Sequence, residues 1–304
     1  MEPVDVEPPY ELILDGLERG KVIPFLGAGA SLPSLMGDSP WDVDTAQRFP
    51  LALELAEALA GRTNYPRDAP RELALVAQYF SGLNGREPLT EYLHQIFVRE
   101  HSSTSLHAFL AERMRTGIII TTNYDNLVER AFGELPFDLV VHAIDQDKVL
   151  LLRHGEAEPV YVTPAKLDVD GSERPLVYKM HGTADARDPL PDQFLITEDD
   201  YVDFLTRMTR QKVLPAPVLK ALMRSNVLFL GYGLGDWNVR VILNTVARQY
   251  NNDLRTKQGY KSWAIQYQVN AVEAANWQDR GVRLFVMGLD RFVDNLLAVE
   301  RQRT

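Results

Sequence analysis

The sequence predicts an α/β fold, a Rossmann-like and mainly parallel sheet with helices on both faces, and three observations carry that prediction. Short β-rich apolar runs recur at 22–26, 118–121, 138–142, 176–180, 227–230, 262–266 and 282–286. Several are separated by stretches whose apolar residues fall at helical spacing, the alternation that a sheet with crossover helices requires. Three runs, at 22–26, 118–121 and 227–230, are nearly unbroken hydrophobics, as expected of strands buried on both faces. Each of these three ends in small or polar residues before a new element begins, and in such sheets the carboxyl ends of the strands face the ligand crevice.

Composition bounds what such a fold does. At 304 residues, 45% hydrophobic and 24% charged, the chain has ample length for one large core. Residues 1–304 are read as a single domain, with a helical insertion over about 40–116 and a proline-containing mobile arm at 1–9. No window approaches the roughly 18 apolar residues of a membrane span. The first residues, Met1-Glu-Pro-Val-Asp-Val-Glu7, are acidic where a signal peptide is basic and then apolar, so a cytoplasmic protein without membrane association is expected. The absence of cysteine excludes disulfides, cysteine-ligated zinc and a thiol nucleophile. A formal net charge of −10 with scattered Lys and Arg argues against direct nucleic-acid binding, and the basic patch at 207–212 is read as a solvated helix face.

Element by element, the first strand runs into Gly27-Ala-Gly-Ala-Ser31. Small residues there let the backbone approach a pyrophosphate, and a following helix would offer free N–H groups and a favourable dipole. The dehydrogenase fingerprint is incomplete: Leu32 stands where the third glycine belongs, and the region about 20 residues on is a helix around Gln47 rather than a strand with an acidic end. Hydride transfer therefore loses support, as does a P-loop hydrolase, because no G-x-x-x-x-G-K-[ST] occurs. From 40 to 115 the apolar rows Leu51, Leu55, Leu59, then Leu75, Val76, Tyr79, Phe80, then Leu89, Leu93, Ile96, Phe97, and Leu106, Phe109, Leu110, Met114 all follow helical spacing. An insertion of that kind either walls the site or is scaffolding.

The second strand delivers Thr121-Thr-Asn-Tyr-Asp125 and then a helix carrying Leu127, Val128, Ala131 and Phe132. Asn123 and Asp125 are placed like site residues, although both types also cap helices. The 148–176 segment, interrupted by Glu156, Pro159, Pro164 and Pro175 and with a turn signal at Asp170-Gly171, is expected as a hairpin or ordered loop. Next, Lys179-Met-His181-Gly182 ends a strand in a histidine whose ordinary pKa of about 6.5 suits a general base; the alternative is an imidazole that only bonds the turn. His94, His101, His107, His142 and His154 show no His-Glu-x-x-His spacing, so no catalytic metal is indicated. After 227–230 comes Gly231-Tyr-Gly233-Leu-Gly-Asp236. Asp236 is expected to cap a helix with Val239, Ile242, Leu243 and Val246, and Asn270 with Glu273 to open the next. Trp41, Trp237 and Tyr232 are read as packing residues and Tyr124 as a possible pocket lining.

Taken together and in order, 27–31, 121–125, His181-Gly182 and 229–238 resemble the sirtuin superfamily, and more closely the SIR2-like domains of bacterial anti-phage defence systems, many of which hydrolyse NAD. The resemblance runs over about 22–286. It implies that Gly27, Ala28, Gly29 and Ser31 form the phosphate-side loop, that Thr122, Asn123 and Asp125 form the ribose and nicotinamide pocket, that His181 is the catalytic histidine, and that Gly231 and Gly233 supply the second dinucleotide contact. One departure is plain. Where deacylating sirtuins carry a four-cysteine zinc module after His-Gly, this chain continues through Thr183-Ala-Asp-Ala-Arg187 into a helical pattern with Tyr201, Phe204, Leu205 and Met208. No zinc is expected, and deacylation loses support.

The implied substrate is NAD+, whose nicotinamide leaves as a neutral ring, so the protein must mainly stabilise an oxocarbenium-like ribose and position a nucleophile. His181 would take a proton from water or a ribose hydroxyl, Asn123 would orient that group, and Asp125 would hold the carboxamide. Three functions stay open: a regulated NAD+ glycohydrolase releasing ADP-ribose and nicotinamide, an NAD-dependent deacylase or ADP-ribosyl transferase, and a non-catalytic NAD or ADP-ribose sensor. The resemblance further implies a homo-oligomer and an activating partner protein, in this class often a helicase-like or nuclease-like ATPase.

Overall fold

The computed structural model describes residues 7–33, 41–143, 147–184, 192–209, 214–232, 262–269, 274–275, 277–278 and 281–303. Among them, nine strands form one sheet: β1 (Val22–Leu26), β2 (Ile118–Thr121), β3 (Asp138–Ala143), β4 (Lys148–Leu152), β5 (Val160–Val162), β6 (Leu176–Lys179), β9 (Asn226–Leu230), β10 (Ser262–Gln266) and β11 (Val282–Val286), in the order β11-β10-β9-β1-β2-β6-β3-β4-β5. From β11 to β3 every pairing is parallel, as the apolar runs predict. Two short strands, β7 (Gly182–Thr183) and β8 (Gln193–Phe194), pair antiparallel beside the sheet.

The 148–176 segment does contain an antiparallel hairpin, but not one standing apart from the sheet. Its apolar bursts are β4 and β5, which extend the sheet antiparallel from β3; Val149, Leu150 and Leu151 are all buried, so they continue the core.

Alternation along each strand divides the core into two layers. On one face Leu26, Ile119, Val141, Val177, Leu228 and Ile265 pack against α1 (Tyr10–Glu18), α5 (Ser105–Arg113) and α9 (Leu289–Arg303). On the other, Ile23, Phe25, Ile118, Ile120, Val140, Tyr178 and Phe229 pack against α7 (Glu198–Thr209) and α8 (Ala216–Arg224). A third cluster belongs to α2 (Ala52–Gly61), α3 (Leu73–Asn84) and α4 (Arg86–Phe97), and it takes in Tyr124, Leu127, Ala184, Phe194 and Ile196. Those last residues lie beyond the ends of β2 and β6. The helices between β1 and β2 thus split: α5 covers a sheet face, while α2 to α4 stand over the carboxyl ends of the strands. Residues 1–6 of the expected arm lie outside the described residues, and no helix among the described residues is long and apolar enough to cross a membrane.

At the opposite, amino-terminal end of β2 three glycines meet. Gly20, Gly117 and Gly171 have φ of 63°, 101° and 77°, and Gly117 N–H donates to the Gly171 carbonyl at 2.6 Å. A Cβ on Gly171 would lie 2.3 Å from the Gly117 carbonyl oxygen. The Asp170-Gly171 turn therefore anchors β2 rather than closing a hairpin. Gly171→Ala is expected to lower the unfolding free energy by about 1–3 kcal/mol through strain and displacement; an unchanged urea midpoint would contradict this.

Candidate active site

The sheet grows from β1 towards β2, β6 and β3 on one side, and the chain then returns to build β9, β10 and β11 on the other. That reversal opens a crevice at the carboxyl ends of β1 and β9, the place where doubly wound sheets bind ligands. Past the strands the backbone stays tied. Gly27 N–H donates to Leu230 O at 3.0 Å, Gly29 N–H to Gly231 O at 2.9 Å, Thr122 N–H to Leu26 O at 3.2 Å and Met180 N–H to Thr121 O at 2.9 Å.

The close glycines have a structural cause. Gly231 sits at φ 66°, and a Cβ there would come within 2.2 Å of Ala30 N; only glycine lets the two loops pass. The first loop differs from expectation. Beyond Gly27 the chain makes a single 3-10 turn, Ala28–Ser31, with Leu32 extended, so the α-helix expected directly after the loop does not begin there.

Asn123 is buried, and its amide Nδ2 donates to the Gly27 carbonyl at 3.0 Å and to Ser31 Oγ at 3.0 Å. Ser31 Oγ in turn donates to Asp125 Oδ2 at 2.8 Å. The other oxygen of Asp125 accepts the Leu127 N–H at 3.1 Å, the first N–H of α6 (Leu127–Phe132), whose N-cap position is Asn126. Asn123 is not the helix cap; that alternative falls to its neighbours. Both amide hydrogens of Asn123 are thereby engaged, and no described residue donates to its Oδ1. Thr122 Oγ1 accepts the Tyr232 hydroxyl at 2.7 Å, a bond that spans β1 and joins the ends of β2 and β9.

His181 lies just past the end of the adjacent strand, β6, at the same level. β2 and β6 pair in register at Thr121 and Lys179, and Asn123 and His181 each come two residues later. Bonds from Met180 N–H to Thr121 O and from Ala184 N–H to Tyr124 O, 2.9 and 3.0 Å, bracket the two. The imidazole is buried against the edges of Tyr201 and Phe204 of α7, with centroids at 5.8 and 6.3 Å. Tyr124 packs on Phe97 and Phe194 and donates its hydroxyl to Leu195 O at 2.7 Å, so it binds the insertion to the site. Trp41 packs on the insertion cluster. Gly233, Asp236, Trp237, Asn270 and Glu273 lie outside the described residues.

Sequence spacing gave no hint of the charged pair beneath this loop. Lys179 Nζ, fully buried, lies 2.9 Å from Glu129 Oε1 and donates to the carbonyls of Tyr124, at 3.3 Å, and Asp125. A signal was present: Lys179 closes an apolar strand, and a lysine in such a place needs a buried partner. Among the described residues no cluster of three or more His, Cys, Asp or Glu side chains is placed to hold a metal ion.

A doubly wound α/β sheet with converging polar strand ends at its reversal point defines the class: a Rossmann-like protein with a crevice site. A family model described as a SIR2-like domain matches residues 117–285, more than half of the chain. The chain belongs to the SIR2-like domain family. It is 26% identical over 234 residues to an NAD(+) hydrolase ThsA of Bacillus cereus (strain MSX-D12), covering 75% of this chain and 40% of that protein. Over 241 residues it is 25% identical to defense-associated sirtuin 2 of Bacillus subtilis, covering 78% and 20%. A second NAD(+) hydrolase ThsA, of Cytobacillus dafuensis, is 25% identical over 175 residues, covering 58% and 30%. The matched stretches thus cover only 20–40% of the length of these relatives.

Two further histidines are buried near this region. Burial holds His107 down to about 4, partly offset by the charge of Glu129. Burial, with His181 and Arg207 nearby, holds His142 down to about 3. Both stay neutral in the folded chain while the unfolded chain titrates near 6.5, so their contribution is fully present above pH 6.5 and is lost as pH falls from there towards 4 and 3. At pH 5 each is expected to cost about 2 kcal/mol relative to pH 7. Urea midpoints that stay level between pH 7 and pH 5 would contradict it.

Proposed function

We propose that this chain is an NAD+ hydrolase domain that cleaves the nicotinamide–ribose bond to give ADP-ribose and nicotinamide, and that it serves as a regulated NAD-depleting effector of anti-phage defence. The observation that carries the proposal is the orientation of Asn123. With both amide hydrogens held by Gly27 and Ser31, Oδ1 is the end left to accept from a water or ribose hydroxyl, and His181 stands just past the end of the next strand at the same level to take the proton. The ThsA relatives, named as NAD(+) hydrolases, support the same chemistry.

In this reading the Gly27, Ala28, Gly29 and Ser31 turn takes the phosphate side, and Gly231 and Gly233 the second dinucleotide contact. Thr122 lines the ribose. Asp125 uses one lone pair of each oxygen on Ser31 and Leu127, and the remaining pairs suit the carboxamide N–H groups of nicotinamide. The rings of Tyr201 and Phe204 packed against the imidazole keep bulk water from it, which strengthens electrostatic help to the developing ribose cation. Uncontrolled NAD loss would harm the host cell, which favours control by self-association or by an activating partner, and a cysteine-free chain suits the cytoplasm.

Purified protein, alone and with proteins encoded beside it, is incubated with NAD+ and nicotinamide release is followed. Asn123→Ala and His181→Ala should keep native circular dichroism and lose turnover by about 10²–10⁴-fold. Cleavage at the wild-type rate by either variant would remove the mechanism, and release that needs an added acyl-peptide would replace hydrolysis with deacylation.

A further inference from the structure

We propose that Lys179 is a positioning residue for this site, an internal cation whose three ammonium hydrogens fix the turn carrying Asn123 and Asp125. The inference rests on the NAD+ reading for its catalytic consequence, while its structural content stands apart from it.

Lysine has three donors and no acceptor, and here each has a partner. One goes to Glu129 Oε1 on α6, and two go to the backbone carbonyls of Tyr124 and Asp125. Those carbonyls belong to the turn between β2 and α6, on either side of which Asn123 and Asp125 engage Ser31. Tyr124 O also receives Ala184 N–H at 3.0 Å and Thr183 Oγ1 at 3.4 Å, so the turn is drawn towards β6 by several donors, of which Lys179 alone is charged. Hydrogen bonds from a charged donor are about twice as strong as neutral ones.

The pair is poorly explained by stability alone. A buried ion pair forfeits its hydration, and apolar residues of similar volume commonly serve the fold as well or better. What apolar residues cannot do is donate to two carbonyls. On the facing side of the site the glycine loop has its own tie, since Thr104 Oγ1 donates to Ala30 O at 3.1 Å.

The test compares wild type, Lys179→Met and the double variant Lys179→Met with Glu129→Leu. The single change strands a buried carboxylate; the double change removes both charges and is expected to restore the thermal midpoint. Amide hydrogen exchange across 122–127 is measured together with kcat and KM for NAD+. In the double variant that segment should exchange at least about 10-fold faster than in wild type, with kcat down by a similar factor and KM changed less, because order around the reacting groups is lost while most substrate contacts persist. Wild-type exchange across 122–127, or an unchanged kcat, overturns the proposal. If wild-type protein releases no nicotinamide, the NAD+ reading fails, and the exchange result alone then decides the role of Lys179.

Discussion

A parallel sheet stops pairing at its carboxyl edge, and the backbone groups stranded there must be satisfied by something other than the ladder. In this chain almost every solution to that problem is also a piece of the site. Leu26 O and Leu230 O accept from the next strand's outgoing turn, Gly231 O accepts from Gly29, and Tyr124 O and Asp125 O accept from Lys179. Satisfying the edge therefore fixes the separations between loops that are distant in sequence, and a ligand meets a surface already set by the protein's own bonds. Such preorganisation is what electrostatic help to a developing charge depends on.

Much of the fold was legible because strands buried on both faces are written as unbroken apolar runs, and the ends of β1, β2, β6 and β9 fall where those runs stop. The antiparallel extension was harder to see. β5 is three residues long with Val160 and Tyr161 exposed, so it lacks the apolar signature, and Pro159 beside it suggests a loop. Side-chain roles that need a distant partner were also hidden. Asn123 is 96 residues from the Gly27 carbonyl it binds, and Lys179 is 50 from Glu129; no local period records either. The glycines were visible as small residues after strands, but spacing alone suggests room for a phosphate, whereas in the folded chain their first use is clearance between two backbones.

The stretch matched by the SIR2-like family model begins at β2, yet the first strand and its glycine loop are inseparable from it. β1 lies between β9 and β2 in the sheet, and Ser31 connects Asn123 to Asp125. Helices α2 to α4 are bonded to the same region from the far side, since Arg86 of α4 reaches Asp200 at 2.7 Å and the carbonyl of Phe194. Family membership is read from the second half of the chain, while the chemistry proposed for it draws on both halves.

The strand β2 is four residues long and is gripped at both tips, by backbone contact among glycines at one end and by an ammonium group at the other. A strand so short has no slack. Loss or gain of one residue within it would turn Ile119 to the opposite layer and unseat both tips together, so over evolutionary time length variation should be tolerated in the 153–159 connection and purged from 117–125.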